Sequence, residues 1–438
     1  MPNKPLNHSI RIVNILSFSG FLLWLLYYFN AAPLYFELLA FHAKIVSVSV
    51  LMGIWMLVML ATIMLRKKIT FAWKHAALFT LVIYMLLTTI VQCAVTPDML
   101  NVIGMSSFGT VVLHIAIFSI LLLQMMIPGR FSEKVAYKWL LILAVPVICF
   151  GISQVMNGYG QITMVIFNNY VKNVPYYFYG FNRPYSLFTQ SSNFGWYMAF
   201  LATMLWLSIR KTRSLLAMIF YFLAIIIAIT TNILSFTRIS ILAMLLVLFF
   251  LWYSKGLTVH RRKMIFMPAV FFIASIMLFL FAGELSELLK GFLGVLVHSA
   301  STSIRENELA YYLKIYGSAK WWQILIGIGP IINAIPAKTN MFIDNTYLYI
   351  LLQEGVVGVV LWFVVTITIW QDMYLSAQRE PTILRDAIIV FWSTWLAVGL
   401  FATDLSIYML MAILFYMINP RLESRSSVRN LKTVVEKV

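Results

Sequence analysis

The feature that most constrains this chain is a succession of long apolar stretches with most of the charges lying between them. Almost every stretch is at least about 17 residues long, which is enough to cross a bilayer as a helix. Only 11% of the residues are charged, against about 25% in soluble domains. These two facts exclude a soluble enzyme, a nucleic-acid-binding domain and a disulfide-stabilised scaffold. They predict a polytopic integral membrane protein of the all-α class.

Hydropathy predicts about twelve transmembrane helices in a single membrane domain that covers residues 1–438. The spans are predicted at 12–29, 45–65, 76–94, 108–127, 139–155, 194–209, 214–231, 236–253, 264–281, 346–370, 387–403 and 405–419. The first stretch is longer than the core of a signal peptide, and further spans follow it. It is therefore predicted to be an uncleaved first helix.

The basic residues are divided unevenly between the two sides of this topology. With twelve spans both termini lie on one side, and segments on that side contain 23 of the 32 Lys and Arg residues but six of the 15 acidic residues. The other side holds the remaining nine of each, so the whole formal net charge of +17 lies on the side of the termini. By the positive-inside rule that side, with the tail at 420–438, is cytoplasmic. Nucleic acid is not needed to explain the basic composition.

Two connections on the predicted outer side are long, at 156–193 and 282–345. Long loops often carry function. In the second loop, apolar residues recur at helical spacing, which predicts an amphipathic helix. That helix either lies at the membrane surface or packs against the rest of the loop. The residues of its apolar face are Ile304, Tyr311, Tyr312, Ile315, Ala319 and Trp322.

Three arginines stand on this charge-poor outer side, namely Arg183, Arg238 and Arg305. A guanidinium group near lipid needs a partner, and its planar fork matches phosphate oxygens. Together the three arginines are predicted to bind a pyrophosphate carried on a lipid. The alternative is that each one reaches the headgroups or pairs with an outer-side carboxylate such as Glu306 or Glu308.

No metal or cofactor is predicted for this chain. The six histidines show no metal-ligand spacing, and Cys93 and Cys149 lie in apolar spans, where they are expected to be packing residues. His114 lies within a span and is expected to be a hydrogen-bonded histidine of the helix bundle. Gly327-x-Gly329 lacks the third glycine of a dinucleotide-binding fingerprint.

Four motifs carry a family resemblance, and we number them in chain order. They are motif 1, Arg183-Pro-Tyr-Ser-Leu-Phe-Thr-Gln-Ser-Ser-Asn-Phe-Gly195; motif 2, Ser235-Phe-Thr-Arg-Ile-Ser-Ile-Leu-Ala243; motif 3, Leu325-Ile-Gly-Ile-Gly-Pro330; and motif 4, Asp344-Asn-Thr-Tyr-Leu-Tyr-Ile-Leu-Leu-Gln-Glu-Gly-Val-Val-Gly358. In this order they resemble the bacterial O-antigen polymerase (Wzy) family, within the O-antigen ligase and polymerase superfamily.

The resemblance implies a GT-C-like protein of the bacterial inner membrane with two long periplasmic loops. Its implied activity, in lipopolysaccharide biosynthesis, is glycosyl transfer between undecaprenyl-pyrophosphate-linked oligosaccharides at the periplasmic face, without a metal or a nucleotide sugar. Implied partners are these lipid-linked glycans, membrane lipids, a chain-length regulator and a flippase. The arginines, Arg305 among them, would stabilise the charge of the leaving pyrophosphate.

Departures from the family pattern bear on the catalytic base. Ligases of the superfamily carry a functional histidine where this chain has Asp344, which favours a polymerase over a ligase. Gln190 and Ser191 replace a frequent Glu-Pro pair, so no carboxylate role can be transferred to that position. Asp344 is either the base that accepts the proton of the acceptor hydroxyl or an N-cap of the helix behind it. Glu306 is the next candidate base.

Two other functions remain open beside polymerisation. One is an O-antigen ligase that transfers glycan to lipid A-core. The other is a transporter or flippase for a lipid-linked sugar. The chain shows no visible internal repeat and keeps nearly all its charges at span ends or in loops, and both features weigh against a transporter.

Overall fold

The computed structural model of the chain describes most of its helical segments. The described residues are 4–28, 48–66, 73–95, 99–127, 131–157, 177–178, 181–182, 184, 186, 188, 191–235, 238–253, 310–329, 332, 345–379, 382–398 and 405–418. The predicted span at 264–281 and the predicted tail at 420–438 lie outside them.

The described residues are almost wholly helical, which confirms the all-α class. The helices are α1 Lys4–Tyr28, α2 Val48–Arg66, α3 Trp73–Val95, α4 Met99–Met126, α5 Glu133–Asn157, α6 Ser191–Lys211, α7 Leu215–Leu234, α8 Arg238–Tyr253, α9 310–317, α10 Trp321–Ile326, α11 Thr346–Arg379, α12 Ile383–Val398 and α13 Leu405–Ile418. A short antiparallel hairpin joins β1 Tyr177–Phe178 to β2 Phe181–Asn182.

A helix stands at eleven of the twelve predicted spans, and the remaining span is the one outside the described residues. Among the described helices, four segments are long and apolar enough to cross a membrane. They are His75–Val95, Glu133–Met156, Leu215–Leu234 and Thr346–Ser376, with mean hydropathy of 2.2 to 2.3. A helix satisfies its own backbone hydrogen bonds, which is the requirement for crossing hydrocarbon. The chain is thus suited to a membrane.

Helix α13 lies at the centre of the bundle. Its residues from Tyr408 to Ile418 are all buried. The rings of Trp392 and Trp395 stack on Tyr408, with centroid distances of 4.5 and 4.3 Å. From α1, the indole N–H of Trp24 donates to the carbonyl of Leu410 at 2.7 Å. Helices from both ends of the chain therefore pack around the last helix.

Charged side chains meet at one end of the bundle, which we call the charged end. At the start of α12, Arg385 Nε donates to Glu133 Oε2 at 3.2 Å, and Glu133 begins α5. Asp386 lies within electrostatic range of Lys211, the last residue of α6. Helices α5 and α12 thus begin at the charged end, whereas α6 ends there. These three segments are the ones predicted to lie on one side of the membrane.

The predicted amphipathic helix of the second long loop is divided into two short helices, α9 and α10. Tyr312 is completely buried, and Tyr311 and Ile315 pack against the core. Over the described residues, the predicted apolar face therefore packs on protein.

Candidate functional site

The predicted site residues stand mostly outside the described part of the chain. This is so for Arg183, Arg305, Glu306 and Asp344. Arg238 is the first residue of α8, and its side chain is likewise outside the described part. Their roles stay predictions. The residues around them, however, show how the four motifs are arranged.

Motif 1 ends against motif 2. The side-chain amide of Asn232 donates to the carbonyl of Gly195 at 2.7 Å, and the hydroxyls of Ser235 and Ser240 lie 3.4 Å apart beside it. A Cβ atom on Gly195 would lie 2.6 Å from Cβ of Ser240 and closer still to its hydroxyl oxygen. A glycine at this position therefore allows the start of α6 to approach the start of α8.

The earlier part of motif 1 is hydrogen-bonded to the end of α5. The backbone N–H of Ser186 donates to Oε1 of Gln154 at 2.8 Å, and Nε2 of Gln154 donates to the carbonyl of Ser186 at 3.4 Å. Ser186 has a φ of 52°, which places it in the left-handed region. Two residues later, Phe188 is buried against Tyr197 of α6. Motif 1 thus bridges α5 and α6.

Motif 3 packs directly on motif 4. The N–H of Ile328 donates to the carbonyl of Leu352 at 2.7 Å. Helix α11 is interrupted at Gly355, where φ is 70° and ψ is −171°. Gly327 has a φ of 89°, and a Cβ atom on it would lie 2.6 Å from the backbone N of Glu354. Only glycine readily occupies such conformations, so the two interruptions can meet backbone to backbone.

A side chain of helix α3 donates hydrogen bonds to the carbonyl groups at this junction. Nε2 of Gln92 donates to the carbonyl oxygens of Ile326, Gly327 and Gln353 at 3.1, 3.2 and 3.3 Å. These carbonyls belong to non-helical or interrupted backbone, where the usual helical donors are missing. Gln92 therefore links motif 3, motif 4 and α3.

A buried carboxyl group lies at the same junction. Thr88 Oγ1 donates to Oε2 of Glu354 at 3.0 Å, and Nε2 of Gln353 donates to its Oε1 at 3.1 Å. The hydroxyl of Tyr84 donates to the backbone carbonyl of Glu354 at 2.7 Å. Glu354 is only 5% exposed and belongs to a membrane-capable helix. An ionisable residue in that setting is a functional-site candidate.

Glu354 is one of the nine acidic residues on the predicted outer side, and it is not among the predicted site residues. The available signal was its position inside a long apolar stretch of motif 4, directly before a glycine. Its hydrogen-bond partners Thr88 and Tyr84 come from a helix about 270 residues earlier. No local pattern could have indicated those partners.

Glu354 also borders a small pocket between α3, α4 and α11. Its wall is mainly apolar and includes Met85, Phe118 and His114. The imidazole of His114 meets the ring of Tyr349 edge to face, with centroids 5.8 Å apart. The pocket thus places a carboxyl and an imidazole group on the wall of one apolar space.

The N-cap of α11 is Asn345. Its Oδ1 accepts from the backbone N–H of Leu348 at 2.9 Å, three residues along the chain. This is the geometry of an N-cap that directly precedes the first helical residue, Thr346. The capping role that the sequence left open for Asp344 therefore belongs to its neighbour.

All four motifs lie at the end of the bundle opposite the charged end. We call this the motif end and define it by Gly195, Ser235, Gly327 and Thr346. Helix α6 ends and α12 begins at the charged end, so the start of α6 and the end of α12 lie opposite. The hydroxyl of Tyr347 donates to the carbonyl of Leu396 near the end of α12, which places the start of α11 there too.

No protein-family model matches the chain, and no curated protein matches it. Within the described ranges, no three His, Cys, Asp or Glu side chains form a group that could hold a metal ion.

Proposed function

We propose that the chain is an O-antigen polymerase of the bacterial inner membrane. It would join undecaprenyl-pyrophosphate-linked oligosaccharide units at the periplasmic face. The observation that carries this proposal is the assembly of the four motifs at one end of the bundle, with motif 1 against motif 2 and motif 3 against motif 4. Two motif pairs at the same end of the bundle are the arrangement expected if they contribute to one site.

The proposed topology has about twelve spans, with both termini in the cytoplasm and the motif end in the periplasm. The uneven distribution of Lys and Arg supports this orientation. The proximity of Glu133, Arg385 and Lys211 agrees with placing their three segments on one side of the membrane. The long loops at 156–193 and 282–345 would then be periplasmic.

The proposed reaction is a substitution at the anomeric carbon of the donor glycan. A hydroxyl oxygen of the acceptor unit forms the new bond to that carbon, and the bond from the carbon to the lipid pyrophosphate breaks. The pyrophosphate leaves with the electron pair. Arg183, Arg238 and Arg305 would stabilise its negative charge through paired N–H donors.

The acceptor hydroxyl must lose a proton in this reaction, and Asp344 is the proposed base. The structure supports this choice because Asn345 already caps α11, which leaves the Asp344 carboxylate without that structural task. Asp344 immediately precedes Asn345, and Thr346 begins α11 at the motif end. Glu306 is the alternative base, from the same loop.

The surface polysaccharide of a deletion strain of the source bacterium tests the proposal. A polymerase deletion should leave lipid A-core capped by single repeat units, and the cloned gene should restore the long-chain ladder. Uncapped core with accumulated lipid-linked polymer would instead indicate the ligase, the second candidate. Uncapped core with single lipid-linked units that stay inside the cell would indicate a flippase.

A further inference from the structure

Motif 3 lies beside the terminal half of α3 rather than beyond its end. Tyr84 is midway along the 21-residue segment His75–Val95, and Gln92 comes three residues before its end. At 1.5 Å per residue, these positions lie about 16 and 5 Å from the helix end. Tyr84 reaches the carbonyl of Leu325 at 3.4 Å, and Gln92 reaches the next two carbonyls of motif 3.

The contacts of helix α11 independently place motif 3 within the same range of depth below the helix ends. Its membrane-capable segment begins at Thr346, and the carbonyl of Leu352 accepts from the N–H of Ile328. Leu352 lies six residues into the helix, which is about 9 Å along its axis. Two membrane-capable helices therefore place motif 3 about one to three helical turns below their shared end.

Non-helical backbone at such a depth is stable only if its polar groups are satisfied by protein. The first three residues of motif 3, Leu325 to Gly327, meet this condition. Gln92 donates to the carbonyls of Ile326 and Gly327. The N–H of Gly327 donates to the carbonyl of Gln323 at 2.8 Å, and that of Ile328 donates to α11.

The outer surface of α10 is apolar and exposed. Trp321 and Leu325, four residues apart on one helical face, are 74% and 43% exposed. The exposed side chain of Lys320 directly precedes them. A cation next to an apolar stripe is complementary to a membrane surface, where anionic headgroups lie beside acyl chains.

We propose that residues 321–329 form a re-entrant segment in the membrane leaflet at the motif end. Trp321 and Leu325 contact lipid acyl chains, and Lys320 lies at the level of the headgroups. The backbone of the turn is held at that depth by Gln92 and by α11. This placement concerns the membrane contact of motif 3 and does not depend on the glycosyl transfer proposed above.

Nitroxide accessibility in phosphatidylglycerol-containing liposomes tests this placement. Single labels are placed at Leu325→Cys, at Ile226→Cys on the exposed face of α7, and at Arg213→Cys in an exposed connection, all in a Cys93→Ala, Cys149→Ala background. The label at 325 should collide with oxygen more often than with a water-soluble nickel complex, as the label at 226 does. The label at 213 should show the reverse preference.

A label at 325 that matches the one at 213 would overturn the proposal. Trp321→Cys provides a second position on the stripe, since a side chain exposed to this degree tolerates substitution, and it should also show the oxygen preference. When Gln92→Leu is added, the label at 325 should collide more often with the nickel complex and less often with oxygen. An unchanged depth would overturn the role given to Gln92.

Discussion

Gly327→Ala is the substitution that most directly tests the packing of motif 3 on motif 4. The native backbone at Gly327 has φ 89° and ψ 164°, a region that is essentially restricted to glycine. The added Cβ would lie 2.6 Å from the backbone N of Glu354 and closer still to the carbonyl oxygen of Gln353. Both atoms are backbone, so a change of rotamer cannot relieve the clash.

The expected cost follows from two contributions. Holding alanine in this region costs about 1–3 kcal/mol. Moving the turn away from α11 weakens the hydrogen bond from Ile328 to Leu352 and those from Gln92, and a buried carbonyl that loses its donor costs about 1–3 kcal/mol. We expect Gly327→Ala to lower the free energy of unfolding by about 3–5 kcal/mol.

Gly53→Ala is the matched control, since a Cβ at Gly53 in α2 would meet no atom within 4 Å. Alanine in a helix interior is favoured over glycine by up to about 1 kcal/mol, so this variant should be as stable as the wild type or more stable. The free energies of both variants can be compared by SDS titration of protein purified in a mild detergent. A Gly327→Ala protein within about 1 kcal/mol of Gly53→Ala would refute this account of the junction.

Three further substitutions extend the test. Gln92→Leu leaves three carbonyls without this donor and should lower the free energy of unfolding by at least about 2 kcal/mol in the same titration. A variant as stable as the wild type would show that other groups replace the donor. Glu133→Gln removes one charge partner of the buried Arg385, which also interacts with Asp386, and should lower the free energy of unfolding by roughly 1–3 kcal/mol, less than the loss of a sole partner. A cost near zero would contradict this estimate. Asp344→Asn should keep wild-type stability, because Asn345 caps α11, and should reduce polymer formation by about 10²-fold or more. A wild-type polysaccharide ladder from that variant would exclude Asp344 as the base.

Much of the helical framework could be predicted from the sequence. The predicted span at 346–370 begins at the first residue of α11, and the one at 214–231 begins one residue before α7. Apolar length is a local property, and a helix satisfies its backbone within its own segment. The location of the charged segments at one end of the bundle was also predictable. The bias of Lys and Arg toward one side follows from the topology of the chain and does not require knowledge of how the helices pack.

The details of the candidate site depended on tertiary structure. The apolar face with Tyr312 could equally face lipid or protein by its periodicity, and the burial of Tyr312 is evident only in the folded chain. Likewise, Asp344 and Asn345 are both good capping residues, and the backbone path at the start of α11 decides between them.

By itself, then, the sequence determined where apolar helices form, how charge is distributed between their ends, and which four motifs are candidates for chemistry. Only tertiary packing brings Gln92 to Gly327 of motif 3 and Thr88 to Glu354 of motif 4. These contacts join segments more than 200 residues apart, and each is a backbone approach or a hydrogen bond made by a single side chain. Periodicity and composition describe neighbours along one helix, whereas such contacts depend on how separate helices pack.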